Sequence, residues 1–253
     1  MAKKININCD MGEGFGRWTL GDDAGILPLV PTANIATGFH AGDPSIMRTV
    51  VGMAKELGVD VGAHVALPDM LGFGRRRIDV SPQELQDYVT YQLGAMGAFA
   101  RAAGAEMVHV KPHGILYSMV GQDPALCRAL LTAVRDYDPN LIVIMPGAET
   151  PAIAAELGVR TLPEAYCDLE YHPNGYPVVE RRKRAWDPEE VARRAVRIAL
   201  EERGTAVDGT ELKLDMRTMC IHGDAANAVE VATCVRQRLA EAGVEVVPLR
   251  EVA

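Results

Sequence analysis

The 253-residue sequence predicts an α/β protein, a (β/α) barrel or its seven-stranded relative, folded as one domain over residues 1–253. Three observations predict it. Short apolar runs alternate from end to end with longer stretches whose apolar residues recur three and four apart, the pattern of a parallel sheet covered by helices. The length suits such a barrel, which commonly runs to about 250 residues as one unit. No strand candidate leads into a Gly-x-Gly-x-x-Gly helix start with an acidic residue downstream, so a dinucleotide-binding fold is disfavoured.

The strand candidates are Ile5–Cys9, Ala33–Phe39, Asp60–His64, Met107–Lys111, Leu141–Met145, Arg160–Tyr166, Met219–His222 and Val244–Pro248. The first helix, Ser45–Leu57, places Ile46, Val50, Met53, Ala54 and Leu57 on one side and stops at Gly58, a C′ glycine. Ser81-Pro82-Gln83-Glu84 combines an N-cap serine, a proline at the first helical position and a capping-box glutamate, opening a helix to about Ala103. Asp123-Pro124 and Asp187-Pro188 repeat the cap-then-proline start, for helices through about Val134 and Glu202. Ala225–Ala242 is closed by Gly243. The stretch from Tyr166 to Trp186, rich in Pro, Gly, Tyr and charge, predicts a long loop or hairpin over one end of the barrel.

Composition excludes several classes. With 26 Lys plus Arg against 34 Asp plus Glu, the net charge of −8 leaves no footprint for nucleic acid. The one basic run, Arg181–Arg184, is too short to alter that. No stretch approaches the ~18 consecutive apolar residues of a membrane helix, and the N-terminus carries no signal-peptide pattern. Five scattered cysteines without Cys-x-x-Cys spacing fit reduced thiols in a cytoplasm.

Polar residues crowd the strand ends: Asn8-Cys9-Asp10-Met11-Gly12-Glu13, Phe39-His40-Ala41-Gly42-Asp43, Ala63-His64, Lys111-Pro112-His113-Gly114 and His222-Gly223-Asp224. In an α/β barrel the C-terminal strand ends form the active face, so these groups belong to one site. A lone histidine there is most often structural, but His40, His64, His113 and His222 all fall at this kind of position, which separate accidents explain poorly. The candidate catalytic residues are therefore Asp10, His40, His64, Lys111, His113 and His222. Lys111 ends a central strand, where an ammonium is costly to bury without a task, and suits a phosphate or oxyanion. Gly12, Glu13, Arg75, Arg76 and Asp224 are candidates for cofactor binding, the arginines as forked partners of a carboxylate or phosphate. Asp10 with His40 or His64 would be a reasonable carboxylate–imidazole set for a divalent cation, but no tight His-x-x-x-His spacing supports it and no metal ligands are assigned. His109, inside a strand, reads as core; His172, in the long loop, is left undecided. Cys9 and Cys220 read as small buried hydrophobes.

In order, Asn8–Glu13, Ala33–Pro44, Gly62–His64, Gly72–Arg76, Val110–Gly114 and His222–Asp224 closely resemble the LamB/YcsF family, over about Asn6 to Pro248. The resemblance implies a seven-stranded barrel related to the glycoside hydrolase/deacetylase fold. It also implies an ATP-dependent hydrolase of 5-oxo-L-proline, the A component of a 5-oxoprolinase that works with B and C subunits and forms L-glutamate. An ATP requirement suits the chemistry, because an unactivated lactam amide needs a leaving group made on its oxygen. The alternatives are a metal-dependent deacetylase or carbohydrate-active hydrolase, a hydrolase of a related cyclic amide, or a non-catalytic binding protein. The chain departs from the family pattern at Thr37, at Val65-Ala66-Leu67 and at Leu169, where the family carries Cys, a Pro-Ser-Tyr run and Arg. Those departures predict an altered preference among lactams.

Overall fold

The computed structural model describes residues 2–180 and 184–253. Three residues of the Arg181–Arg184 run therefore lie outside the described residues. In chain order the elements are β1 (Lys3–Met11), α1 (Asp23–Ile26), β2 (Thr32–Ala36), α2 (Pro44–Leu57), β3 (Asp60–Val65), α3 (Pro82–Ala102), β4 (Met107–Pro112), α4 (Gly114–Gln122), α5 (Pro124–Tyr137), β5 (Ile142–Ile144), α6 (Thr150–Leu157), β6 (Arg160–Leu162), β7 (Glu164–Tyr166), α7 (Pro188–Glu201), β8 (Arg203–Thr205), β9 (Glu211–Lys213), β10 (Thr218–His222), α8 (Ala228–Glu241) and β11 (Val244–Val246).

The main sheet runs β6-β5-β4-β3-β2-β1-β10-β7, all parallel. Its two outer members, β6 and β7, are halves of one extended segment interrupted at Pro163. The first half pairs with β5 and the second with β10. Proline has no N–H to give a ladder, so the segment changes neighbours there, and the sheet closes on itself. β1, β2, β3, β4, β5, the 160–166 segment and β10 are the staves of a nearly closed seven-stranded barrel. The last strand candidate, at 244–248, is not one of them. β11 pairs with the first residues of β1, Lys3 opposite Val244, and the chain then turns away.

The helix starts follow their caps. Ser81 and Glu84 form a reciprocal capping box, and Asp43, Asp123 and Asp187 each accept from backbone N–H groups at the head of α2, α5 and α7, with proline in the first turn. Gly58 ends α2 with φ 69°. Three helices, α1, α4 and α6, and the β8–β9 hairpin are not among the elements expected from the sequence. The hairpin loop carries Asp208-Gly209, with Gly209 (φ 87°) donating back to the Ala206 carbonyl at 2.9 Å.

Strand residues alternate between two environments. Ile5, Ile7, Cys9, Ala33, Ile35, Val108 and Val110 are buried toward the helices, most of them in the main core cluster. Asn6, Asn8 and Asp10 of β1, Thr32 and Asn34 of β2, His109 and Lys111 of β4 and Thr218 of β10 are also buried but hydrogen-bond one another across the barrel. The interior is thus a polar column, from Asn6 at the floor to Asp10 near the mouth. Gly62 makes room for it, because a Cβ there would lie 2.2 Å from the His109 ring.

Candidate active site

Parallel strands carry their C-terminal residues to one end of the barrel. Asp10 (β1), His64 (β3), Lys111 (β4), His113 just beyond β4, and His222 (β10) all line a narrow cavity of about 50 Å³ there, with Tyr117, Tyr166, Leu169, Arg75 and Val178. Leu169, Pro177, Val178, Val179 and Glu180 belong to the long stretch after β7, which covers this mouth. His40 stands one layer back, fully buried, its ring stacked 3.7 Å from that of His113.

Lys111 is buried with its ammonium 3.1 Å from Asp10 Oδ1, 3.0 Å from Glu164 Oε1, 3.1 Å from Asn8 Oδ1 and 3.0 Å from Cys220 Sγ. Burial alone would lower its pKa, but Asp10, Cys220 and Glu164 raise it well above the ordinary value. Lys111 is therefore a fixed cation, and its three N–H groups already face four acceptors. Burial likewise opposes ionisation of Asp10, yet the charges of His64 and Lys111 hold its carboxyl well below the usual range. The two buried charges compensate each other.

Imidazoles surround the second oxygen of Asp10. Oδ2 lies 3.3 Å from His64 Nε2 and 3.8 Å from His222 Nε2. His222, 11% exposed in its side chain, is oriented from behind: Nδ1 is 3.0 Å from Asp168 Oδ1, and Asp168 Oδ2 accepts the His222 backbone N–H at 2.8 Å. That fixes the proton on Nδ1 and leaves Nε2 facing Asp10 and the cavity. His64 donates from Nδ1 to the Lys111 carbonyl (3.0 Å), and His113 donates from Nε2 to the Phe73 carbonyl (2.9 Å). Burial, followed by the charges of His40 and His64, pushes His113 well below its ordinary pKa; burial and then His64 do the same to His40. Burial, reinforced by Asp10 and Asp224, raises Glu13 well above its ordinary value, and its Oε1 lies 3.0 Å from His40 Nε2.

The five residues expected to bind a cofactor do not form one cradle. The Gly12 N–H donates to the Asp23 carboxylate, Glu13 belongs to the imidazole cluster, and Arg76 is paired with Asp69. Arg75 and Asp224 form a nearly buried pair at 2.8 Å, and Arg75 reaches the cavity. The Gly72-Phe73-Gly74 run serves the site differently, by bringing the Phe73 carbonyl onto His113. The approach is close enough that Gly114 (φ 55°) has no room for a Cβ, which would sit 2.6 Å from the Gly74 oxygen. Of the departures at 65–67 and 169, Leu169 lines the cavity, whereas Val65, Ala66 and Leu67 are core, with Ala66 bonded on both backbone groups by Gln92. Sequence reasoning missed Asn8, Glu164 and Asp168 as site residues and treated Cys220 as plain core. Among the described residues two sets of side chains could hold a metal ion: Glu13, His40, His64 and His113, and Asp10, Cys220 and His222.

Fold and site together define a parallel β/α barrel with a buried acid–imidazole–lysine cluster at its C-terminal mouth. The chain belongs to the LamB/YcsF family, which matches residues 5–253. It is similar to the A component of the 5-oxoprolinase of Nocardia farcinica, 47% identical over 96% of this chain and 98% of that one. It also superposes on the lactam utilization protein of Thermus thermophilus with TM-score 0.86 and 43% identity, covering 96% and 98% of the two chains. A peptidoglycan N-acetylglucosamine deacetylase shares the fold alone, with TM-score 0.51 and 10% identity over 99% of this chain and 88% of that one.

Proposed function

We propose that this chain is the A component of a cytoplasmic ATP-dependent 5-oxoprolinase, opening the lactam of 5-oxo-L-proline to L-glutamate together with the B and C subunits. The observation that carries the reading is full-length similarity to proteins of that name at 42–47% identity, as in Thermococcus onnurineus and Nocardia farcinica. Among the described residues no helix is long and apolar enough to cross a membrane.

In this reading a water oxygen adds to the lactam carbonyl carbon, the ring C–N bond breaks, and the nitrogen leaves as an amine. Each event moves a proton. His222 is the group placed to move it, because Asp168 holds its Nδ1–H and leaves Nε2 free at the cavity. Asp10, kept ionised by His64 and Lys111, faces that nitrogen at 3.8 Å. A nucleotide does not fit this cluster. Lys111 already faces four acceptors and Arg75 is paired with Asp224, so neither cation is left to hold a triphosphate. No step of ATP cleavage is therefore assigned to these residues, and the nucleotide is taken to engage the assembled complex.

The test is ATP-dependent glutamate release from 5-oxoproline, measured for the chain alone and with the B and C subunits. Turnover in the complex that falls at least about 100-fold in His222→Asn, with the complex still assembled, supports the reading. Hydrolysis that is indifferent to ATP, or no release by the complete complex, overturns it.

A further inference from the structure

The hydrogen positions of two buried imidazoles are dictated by their neighbours. A carbonyl oxygen only accepts, so His64 Nδ1, 3.0 Å from the Lys111 oxygen, donates its hydrogen there and turns Nε2 toward the cluster. His113 Nε2, 2.9 Å from the Phe73 oxygen, is protonated for the same reason, and its Nδ1 carries a lone pair. His113 Nδ1 and His64 Nε2 are 2.9 Å apart. Beside them lie two carboxyl oxygens, Glu13 Oε1 at 3.4 Å from His113 Nδ1 and Asp10 Oδ2 at 3.3 Å from His64 Nε2. Lys111 does not relieve this convergence, because its ammonium lies against the other Asp10 oxygen and Glu164. Two imidazole nitrogens and two carboxyl oxygens thus converge in a dry interior, a set of atoms that a single positive charge would satisfy together.

We propose that this point is a divalent-cation site, with His64 Nε2, His113 Nδ1 and Glu13 Oε1 as ligands for a transition ion of the zinc class. The spacing agrees. Two ligands on a tetrahedral ion with bonds of about 2.0–2.1 Å lie roughly 3.3 Å apart, and the separations here are 2.9 and 3.4 Å. Each imidazole gives its other N–H to a backbone carbonyl, the arrangement that aims a ligating histidine. His40, with Nε2 3.0 Å from Glu13 Oε1, orients the carboxylate. Mixed imidazole and carboxylate donors favour zinc, cobalt or nickel over magnesium or calcium. The second donor set, Asp10, Cys220 and His222, is a poorer host because the Lys111 ammonium is 3.0 Å from Cys220 Sγ and would repel an ion there. An ion at Glu13, His64 and His113 would adjoin the cavity, where such ions polarise carbonyls or acidify water. The proposal goes beyond the lactam reading and stands whatever the substrate, since its readout is metal uptake.

The experiment is titration of the metal-stripped full chain with Zn²⁺, Co²⁺ and Mg²⁺, by calorimetry and elemental analysis. The cobalt form is then recorded by visible absorption and proton NMR. One zinc or cobalt per chain is expected, with far weaker magnesium binding. The cobalt form should show tetrahedral-type visible bands, no thiolate charge-transfer band, and two paramagnetically shifted exchangeable ring N–H signals from His64 and His113. His113→Ala and Glu13→Gln should weaken uptake at least about tenfold. No uptake by the wild-type chain would mean that a proton alone fills the gap, and would overturn the proposal. A thiolate band would also overturn it, by placing the ion at Cys220, as would undiminished binding in the folded variants. The wild-type cobalt spectra decide the matter even if both variants fail to fold.

Discussion

The floor and the mouth of this barrel are both polar and both buried, but they are built from different chemistry. At the floor, Asn6 donates to the Thr32 hydroxyl at 2.8 Å and to the Val247 carbonyl at 2.9 Å, and accepts from the Thr218 hydroxyl at 2.7 Å. Every group there is neutral. Four residues further along β1 stands Asp10, which joins Lys111 and Glu164 in a charged cluster edged by imidazoles. A neutral hydrogen-bonded layer can replace apolar packing at little net cost when every donor and acceptor is matched. A buried charged layer is weak evidence for stability, because desolvation of each ion offsets most of the attraction. Floor and mouth therefore answer different requirements. The floor specifies how the staves meet, and the mouth holds charges where chemistry can use them.

The largest expected effect is at the mouth. Lys111→Met leaves two carboxylates buried without their cation, a loss on the order of 3–5 kcal/mol in urea unfolding, with turnover in the complex abolished. Adding Asp10→Asn should recover part of that stability and none of the activity. If the double variant is no more stable than Lys111→Met, the charge layer is not what the lysine compensates. At the floor, Asn6→Ala takes the donor from the Thr32 hydroxyl and the Val247 carbonyl and the acceptor from the Thr218 hydroxyl, for a loss of about 3 kcal/mol, while kcat per folded complex stays near wild type. A kcat that collapses while the unfolding midpoint holds would erase the distinction between the layers.

Much of the fold is legible because its signals are local. Ser81 with Glu84, and Asp before Pro at 123 and 187, fix helix starts through the side chain that meets the first free N–H groups, and the structure places those caps as expected. Pro151 and Gly158 bracket α6 in the same way, a helix the sequence reading omits although its C-cap glycine has φ 69°, but its N-cap Glu149 makes no side-chain bond to the first N–H groups. The site is legible where polar residues end strands, as with Asp10, His64 and His222. Asn8, Glu164 and Cys220 are not, because they reach Lys111 only once Pro163 has turned the 160–166 segment onto β10 and closed the ring. Asp168 lies in irregular chain after β7, and no periodicity announces that it will meet His222.

His109 lies between the layers, with Nε2 2.7 Å from Asn34 Oδ1. Burial first, then the charges of Lys111 and His64, lowers its pKa to about 3. Below about pH 6.5 the unfolded chain binds a proton on this residue that the folded chain refuses. The stability that His109 contributes is therefore intact above about pH 6.5 and is lost as pH falls toward 3. Between pH 7.5 and pH 5 the loss from this one group is about 2 kcal/mol. Glu13 and Asp10 titrate in wild type and in His109→Gln alike, so the difference between the two proteins isolates the imidazole. His109→Gln should lose about 2 kcal/mol less than wild type over that interval in paired urea titrations. Parallel curves would mean that His109 is not held neutral by its surroundings.

The smallest effect concerns the rim. Leu169 lines the cavity where the family pattern carries arginine, and Arg75 is the guanidinium that lines it instead. Arg76 is engaged by Asp69 and lies outside that lining. If the substrate is 5-oxoproline, its carboxylate must share Arg75 with Asp224, which holds one edge of the guanidinium at 2.8 Å. A charge-assisted bond shared in this way discriminates only modestly, by roughly 1.4 kcal/mol or tenfold. The measurement is the ratio of kcat/KM for 5-oxoproline to that for 2-pyrrolidinone, the same ring without the carboxylate, in the assembled complex. Arg75→Gln should lower that ratio about tenfold while barely moving the rate on 2-pyrrolidinone, since the proton-moving groups His222 and Asp10 are left in place. A ratio unchanged by Arg75→Gln would mean that the carboxylate is held by a group other than Arg75, and that the exchange of arginine for Leu169 does not set the lactam preference.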